Sequence, residues 1–162
     1  MSTDWERQAD RWRGPAERYA WGLLGNAWDA EDVVQDVAME LLERERRGAP
    51  VSEGLWWTAL RARVYDRLRR RRRSPTLVSW SELPDRESGT DWEQYGEAGA
   101  VLRALETLSA PARELLLLHY DLDWSLQAIA AHVGASESAV KARLWRARRA
   151  LAKRLRPHGG PD

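Results

Sequence analysis

Apolar residues recur at three- and four-residue spacing through most of the chain, and strand-like alternation occurs nowhere, so the sequence predicts an all-α protein. The clearest stretch runs from Asp29 to Glu43. Val33/Val34, Val37/Ala38 and Leu41/Leu42 mark one buried helical face, and Asp32, Asp36, Glu40 and Glu43 form an acidic stripe beside it. Asp29 stands at the expected N-cap, and the acids after it suit the positive end of a helix. Periodicity alone makes this an amphipathic helix with a solvated acidic side. Upstream, Trp5, Ala9, Trp12 and Ala16 mark a helical face expected to break at Gly14-Pro15, where the proline can start a new helix. Tyr19, Leu23 and Leu24 carry the apolar face on to a C-cap signal at Gly25-Asn26.

Arg46 to Gly54 carries glycine, proline and serine and reads as a loop. Helical pattern resumes at Leu55, with Trp57, Leu60, Val64 and Leu68 on one side and Arg61, Arg63, Arg67 and Arg70 on the others. It should stop before Ser74-Pro75. From 74 to 98 prolines, glycines, serines and acids leave little to bury, which predicts a flexible acidic linker. The expected organisation is therefore two small helical domains, 1–73 and 99–156, joined by that linker and followed by a tail at 157–162. In the second domain Val101, Leu102, Leu105 and Leu108 form a short amphipathic helix. Ser109 is an N-cap candidate ahead of Pro111, and Leu115 to Leu118 should be buried. Ser125 can cap a helix through Leu126, Ile129, Ala130 and Val133. Gly134 stops that helix, and Ser136 caps the next, from Glu137 to about Leu155.

Charge adds what periodicity does not show. The net charge of the 162 residues is only +1, yet the charges are segregated. Arg61 to Arg73 holds Asp66 as its only acid, and Lys141 to Arg156 holds none. Two basic blocks separated by acidic ones predict two polyanion contacts and a basic partner elsewhere. Ten tryptophans and no phenylalanine suggest that tryptophan fills aromatic core positions. There is no cysteine for disulfide, thiolate or zinc-thiolate chemistry. No apolar run is long enough to span a bilayer, and Met-Ser-Thr-Asp-Trp-Glu-Arg is no signal peptide, so a cytoplasmic location is the default. His119, His132 and His158 are scattered without partners, and no glycine-rich phosphate loop is present. The sequence thus offers no metal site, no cofactor site and no catalytic constellation.

Ser125 to Arg149 has the layout of a helix-turn-helix. Small Ala130 permits close approach of two helices, Gly134 makes the turn, and Val140 and Leu144 hold the second helix to a core. Ser136 and Ser138 then stand at its N-terminus, and Lys141, Arg143, Trp145, Arg146 and Arg149 project outward. A helix entering the major groove needs small or polar residues near base edges and cations along the phosphates. The Ser136 end and its first amides also suit a phosphate. The plainer alternative is a basic surface helix in an unrelated bundle. Trp56-Trp57 beside the arginine block suggests stacking on single-stranded DNA. Trp57 is in register with the core positions Leu60 and Val64, which leaves Trp56 as the candidate for exposure.

In order, the chain presents Asp29-Ala30-Glu31-Asp32-Val33-Val34-Gln35-Asp36 and a Trp-containing helix ending in Asp66-Arg67-Leu68-Arg69-Arg70. An acidic linker follows, then Leu108-Ser109-Ala110-Pro111-Ala112-Arg113-Glu114-Leu115 and Val140-Lys141-Ala142-Arg143-Leu144-Trp145-Arg146-Ala147. This set resembles the bacterial RNA polymerase sigma factors of the extracytoplasmic-function class, over about Tyr19 to Leu155. The resemblance implies a non-enzymatic subunit that binds core RNA polymerase through its β′ and β subunits and directs it to promoter DNA, with an anti-sigma factor as a further partner. It makes Asp29, Asp32, Gln35, Asp36 and Glu40 polymerase contacts. Trp56, Trp57, Arg61, Arg63, Arg67 and Arg70 fall to the minus-ten element. Ser136, Ser138, Lys141, Ala142, Arg143, Trp145, Arg146 and Arg149 fall to the minus-thirty-five element. The chain departs from the family pattern at Ala62, Ala128, Ala139 and Ala142, which bears on promoter sequence and melting. The competing readings are a helix-turn-helix regulator that binds duplex DNA without polymerase, and an RNA-binding or protein-interaction adaptor using the arginine block.

Overall fold

A computed structural model describes residues 4–73 and 96–155, so most of the expected linker and the whole tail lie outside the described residues. The chain divides into two compact units, 1–90 and 91–162. Every described element is helical.

The first unit packs α1 (Asp4–Leu24), α2 (Ala27–Arg46) and α3 (Glu53–Arg73) against one another. Its core takes Trp5, Trp12, Tyr19 and Leu23 from α1, Val33, Val34, Val37 and Leu41 from α2, and Trp56, Trp57, Leu60 and Val64 from α3. The expected break at Gly14-Pro15 is absent: α1 runs through Pro15 without interruption. Proline removes one helical hydrogen bond and costs roughly 3 kcal/mol. Buried Trp5 and Trp12 before it, and Ala16, Tyr19 and Ala20 after it, hold the two halves in one line against that cost. Gly14 is exposed, with nothing crowding the position of a missing Cβ.

Helix ends follow the cap chemistry with one correction. Gly25, at φ +68°, ends α1 as expected, its N–H donating to the Trp21 carbonyl at 2.8 Å. The N-cap of α2 is Asn26 rather than Asp29. The Asn26 side chain accepts from the Asp29 N–H at 3.1 Å, which starts the helix one turn early and leaves the Asp29 carboxylate for another partner. Ser52 caps α3, accepting from the Leu55 N–H at 3.1 Å, so this helix too begins ahead of the expected Leu55.

The second unit contains α4 (Gly96–Glu106), α5 (Ala110–Leu116), a π-helical turn (Leu117–Asp121), α6 (Leu126–Val133) and α7 (Glu137–Leu155). α4 begins before the expected Gly99, which is buried within it. Ser109 and Ser125 cap α5 and α6 through the N–H groups of Ala112 and Ala128. Leu115 to Leu118 are buried, as the apolar run predicts. His132 is not an isolated surface histidine. Its side chain is almost fully buried beside Glu114, with Nε2 3.9 Å from Oε2, and Trp124 packs on its ring. The sequence shows His132 without a partner because Glu114 lies on α5 and meets it only once the helices pack, giving it a polar neighbour inside the core.

Candidate nucleic-acid and partner interfaces

The acidic stripe of α2 and the arginines of α3 meet each other. Arg67 donates from Nη1 to Asp29 Oδ1 at 3.0 Å and from Nη2 to Asp32 Oδ2 at 2.6 Å. Arg71 pairs with the other Asp29 oxygen and donates to the Leu24 carbonyl at 2.7 Å, tying α3 to the end of α1. Arg63 reaches Glu40 at 2.6 Å. Charge-assisted hydrogen bonds favour the charged guanidinium, so bonding to Glu40 raises Arg63, and bonding to Asp32 raises Arg67, above the ordinary arginine value despite partial burial. Asp29, at the inner end of this network, is 30% exposed and shared by two arginines.

These pairs revise the expected division of labour. Asp29, Asp32 and Glu40 already neutralise Arg67 and Arg63, residues expected on promoter DNA. Gln35 is exposed and Asp36 half-buried on the same helix. Arg61 stacks over the Tyr65 ring at 4.6 Å, and Arg70 is exposed with Asp66 at 3.2 Å. Trp56 and Trp57 are corrected outright: Trp56 is 0% and Trp57 5% exposed. Trp56 sits 6.3 Å from Trp5 and 5.7 Å from Trp12 between ring centroids, and Trp57 packs edge-on against Tyr19 at 5.7 Å. Neither indole is available to stack on a base, because both positions turn into the three-helix core together with Leu60 and Val64.

The latch is testable by itself. Arg67→Ala is expected to lower the stability of the first unit by about 1–2 kcal/mol, since it strips a guanidinium from two carboxylates that remain close together. Urea titration at low salt should show the loss, and about 1 M salt should shrink it by screening. An unchanged midpoint at low salt would contradict the latch.

In the second unit the helix-turn-helix chemistry stands as expected. Gly134 takes the left-handed conformation at φ +71°, a turn that a side chain would strain. Ser136 then caps α7, accepting from the Ala139 N–H at 3.1 Å, and its hydroxyl lies 3.3 Å from that of Ser138. Val140, Leu144 and Ala147 anchor α7 in the core. Lys141, Ala142, Arg143, Trp145, Arg146 and Arg149 are exposed, as are Ser136 and Ser138. Trp145 is 56% exposed, and the Arg149 guanidinium lies 4.7 Å from its ring centre, which stiffens an aromatic face among cations. Arg143 and Arg146 also line an open cavity of about 370 Å³ with Leu108, Pro111 and Leu115.

Sequence reasoning missed two exposed apolar side chains on α2, Trp28 (81%) and Met39 (62%), and the role of Arg71. Trp28, Gln35 and Met39 recur at helical spacing, a second line drowned by the stronger valine-leucine face. Arg71 was hidden in a run of five arginines, where nothing local marks the one facing Asp29.

Comparison with known proteins agrees with this architecture. The model for Sigma-70 region 2 matches residues 9–74, and that for Sigma-70 region 4 matches residues 98–151. The ECF RNA polymerase sigma factor SigL of Mycobacterium tuberculosis is 33% identical over 147 residues, covering 88% of this chain and 83% of that protein. Among solved structures, the sigma factor RpoE in complex with the anti-sigma factor NepR, from Bartonella quintana, is similar. Its TM-score is 0.63 at 27% identity, covering 87% of this chain and 90% of that one. The chain therefore belongs to the extracytoplasmic-function sigma factors of RNA polymerase, which direct transcription initiation.

Proposed function

We propose that the outward face of α2 docks on core RNA polymerase while the outward face of α7 reads the minus-thirty-five element of a promoter. The observation that carries this reading is α7 itself. Val140, Leu144 and Ala147 fix its inner side, and its exposed side bears Lys141, Arg143, Trp145, Arg146 and Arg149. Ser136, Ser138 and Ala142 are small enough to let the helix approach base edges, and the arginines supply base-edge and phosphate contacts. On α2, exposed Gln35 is the proposed polymerase contact least committed to α3. Half-buried Asp36, whose charge also acts on Arg63 and Arg67, and Asp32, bonded to Arg67, contribute the oxygen surface they leave exposed. On α3, exposed Arg70 and half-buried Arg61, which lies over the Tyr65 ring, are the proposed minus-ten contacts. Arg63 and Arg67 act by holding α3 in place.

The protein works without catalytic chemistry of its own, in the cytoplasm, where polymerase and promoter are found. An anti-sigma factor is a further partner, as for the Bartonella quintana relative. The docking reading is tested by measuring affinity for core enzyme across a salt series. Wild-type chain should bind, and Asp36→Asn should bind about tenfold more weakly at low salt, the gap closing as salt rises. A chain with no affinity for core enzyme would overturn the reading.

A further inference from the structure

From Ser138 to Arg149, every exposed residue of α7 but one is small or cationic; the exception is Trp145, 56% exposed. At about 100° per residue, Ser138, Ala142, Trp145 and Arg149 fall within about 60° of one another, opposite the buried Val140, Leu144 and Ala147. Ser138 and Ala142 let the first two turns of the helix come near base edges. Trp145 stands in the third turn, about 12 Å along the axis from Glu137. A straight helix draws away from a curving groove as it lengthens, so a base at that level is reached by a large side chain.

The indole is held before any partner arrives. Arg149, one turn on, places its guanidinium 4.7 Å from the ring centre, which limits the orientations the ring can take. Beside the ring an open hollow of about 370 Å³ is lined by Trp145, Arg146, Arg149, Ala150, Lys153 and Arg154, four cations and no acid. That charge suits a phosphodiester backbone next to the ring rather than a basic or an apolar protein surface. Against such a backbone, a flat apolar ring on the groove-facing side meets base edges. The apolar group that base edges present in the major groove is the C5-methyl of thymine.

We infer that Trp145 is a specificity-determining residue that packs its indole on the C5-methyl of a thymine in the minus-thirty-five element, with Arg149 as the residue that positions the ring. This rests on the reading of α7 as the minus-thirty-five helix. Cytosine at the same place offers the ring no methyl, so the contact separates the two pyrimidines without a hydrogen bond.

The test uses holoenzyme assembled from the full chain and core RNA polymerase, and the promoter duplex that wild-type holoenzyme selects from a pool randomised upstream of the start site. Each upstream thymine is replaced in turn by deoxyuridine, which removes the methyl and keeps the base pair. One replacement should weaken wild-type binding about threefold to fivefold, the worth of one buried methyl. Trp145→Ala should bind the parent duplex at least about threefold more weakly, with an unchanged melting temperature, and should no longer distinguish that deoxyuridine. Arg149→Lys, which keeps the charge but not the planar stack, should keep the wild-type salt slope and lose part of the discrimination. A wild type indifferent to every replacement, or a Trp145→Ala chain that retains the full deoxyuridine penalty, would overturn the inference. So would a Trp145→Ala chain that binds duplex normally and loses affinity for core enzyme, since that places the ring on protein. Duplex affinity unmoved by Trp145→Ala and by Arg143→Ala/Arg146→Ala alike would overturn the minus-thirty-five reading of α7 as well.

Discussion

Trp56→Ala is expected to destabilise the first unit by about 3–5 kcal/mol, the usual cost of deleting a fully buried aromatic side chain. That is a large share of the total stability of a small domain. The indole fills the space between Trp5 and Trp12, both carried by α1, and the packing of that helix against α2 limits how far the two rings can move inward to close the void. Thermal unfolding followed by near-ultraviolet circular dichroism should show the low-temperature loss of the tryptophan signal. Trp56→Phe, which keeps an aromatic ring in the same space, should cost much less. A Trp56→Ala chain that melts like wild type but opens DNA poorly would restore the base-stacking role that burial rules out.

The second large effect belongs to α7. Arg143→Ala and Arg146→Ala should each lower affinity for a promoter duplex by about tenfold or more, the range of one lost base or phosphate contact. The two mechanisms separate by salt. If an arginine bonds to phosphate, its loss makes the slope of log affinity against log salt shallower by about one unit. If it bonds to a guanine edge, the slope holds and discrimination between promoter variants relaxes. Electrophoretic mobility shift across a salt series, with promoters changed one base pair at a time, distinguishes them. Unchanged affinity and slope for both variants would remove α7 from the DNA.

These expectations differ in how much of them the sequence alone carried. Caps were legible because they depend on a few adjacent atoms: Ser109, Ser125, Gly134 and Ser136 do what their side chains allow locally. The core and exposed faces of α7 were legible for the same reason, since one helical period separates Val140 and Leu144 from Lys141 and Arg143. The run-on of α1 through Pro15 was not, because tertiary packing on both sides of the proline overrides its local preference. Trp56 was assigned outward because its neighbour Trp57 held the inward register. With Trp5 and Trp12 filling one side of the core, α3 buries both. The α2–α3 ion pairs were also beyond the sequence. Arg67 and Asp29 are 38 residues apart, and only the packed helices show that the acidic stripe and the arginine helix neutralise part of each other.

That partial neutralisation explains how a helix so acidic sits beside one so basic without either surface being wholly committed to an outside partner. In the proposed reading the arginines inside the latch position α3, and the contacts to polymerase and DNA fall to the side-chain surface that the latch leaves exposed. The decisive measurement is reconstituted transcription with purified core RNA polymerase on promoter fragments, start sites mapped with and without the chain. Discrete start sites are expected that require both the chain and core enzyme and that disappear with Arg143→Ala/Arg146→Ala. Promoter-duplex binding by the chain alone, with no chain-dependent start site in the presence of core enzyme, would contradict that reading.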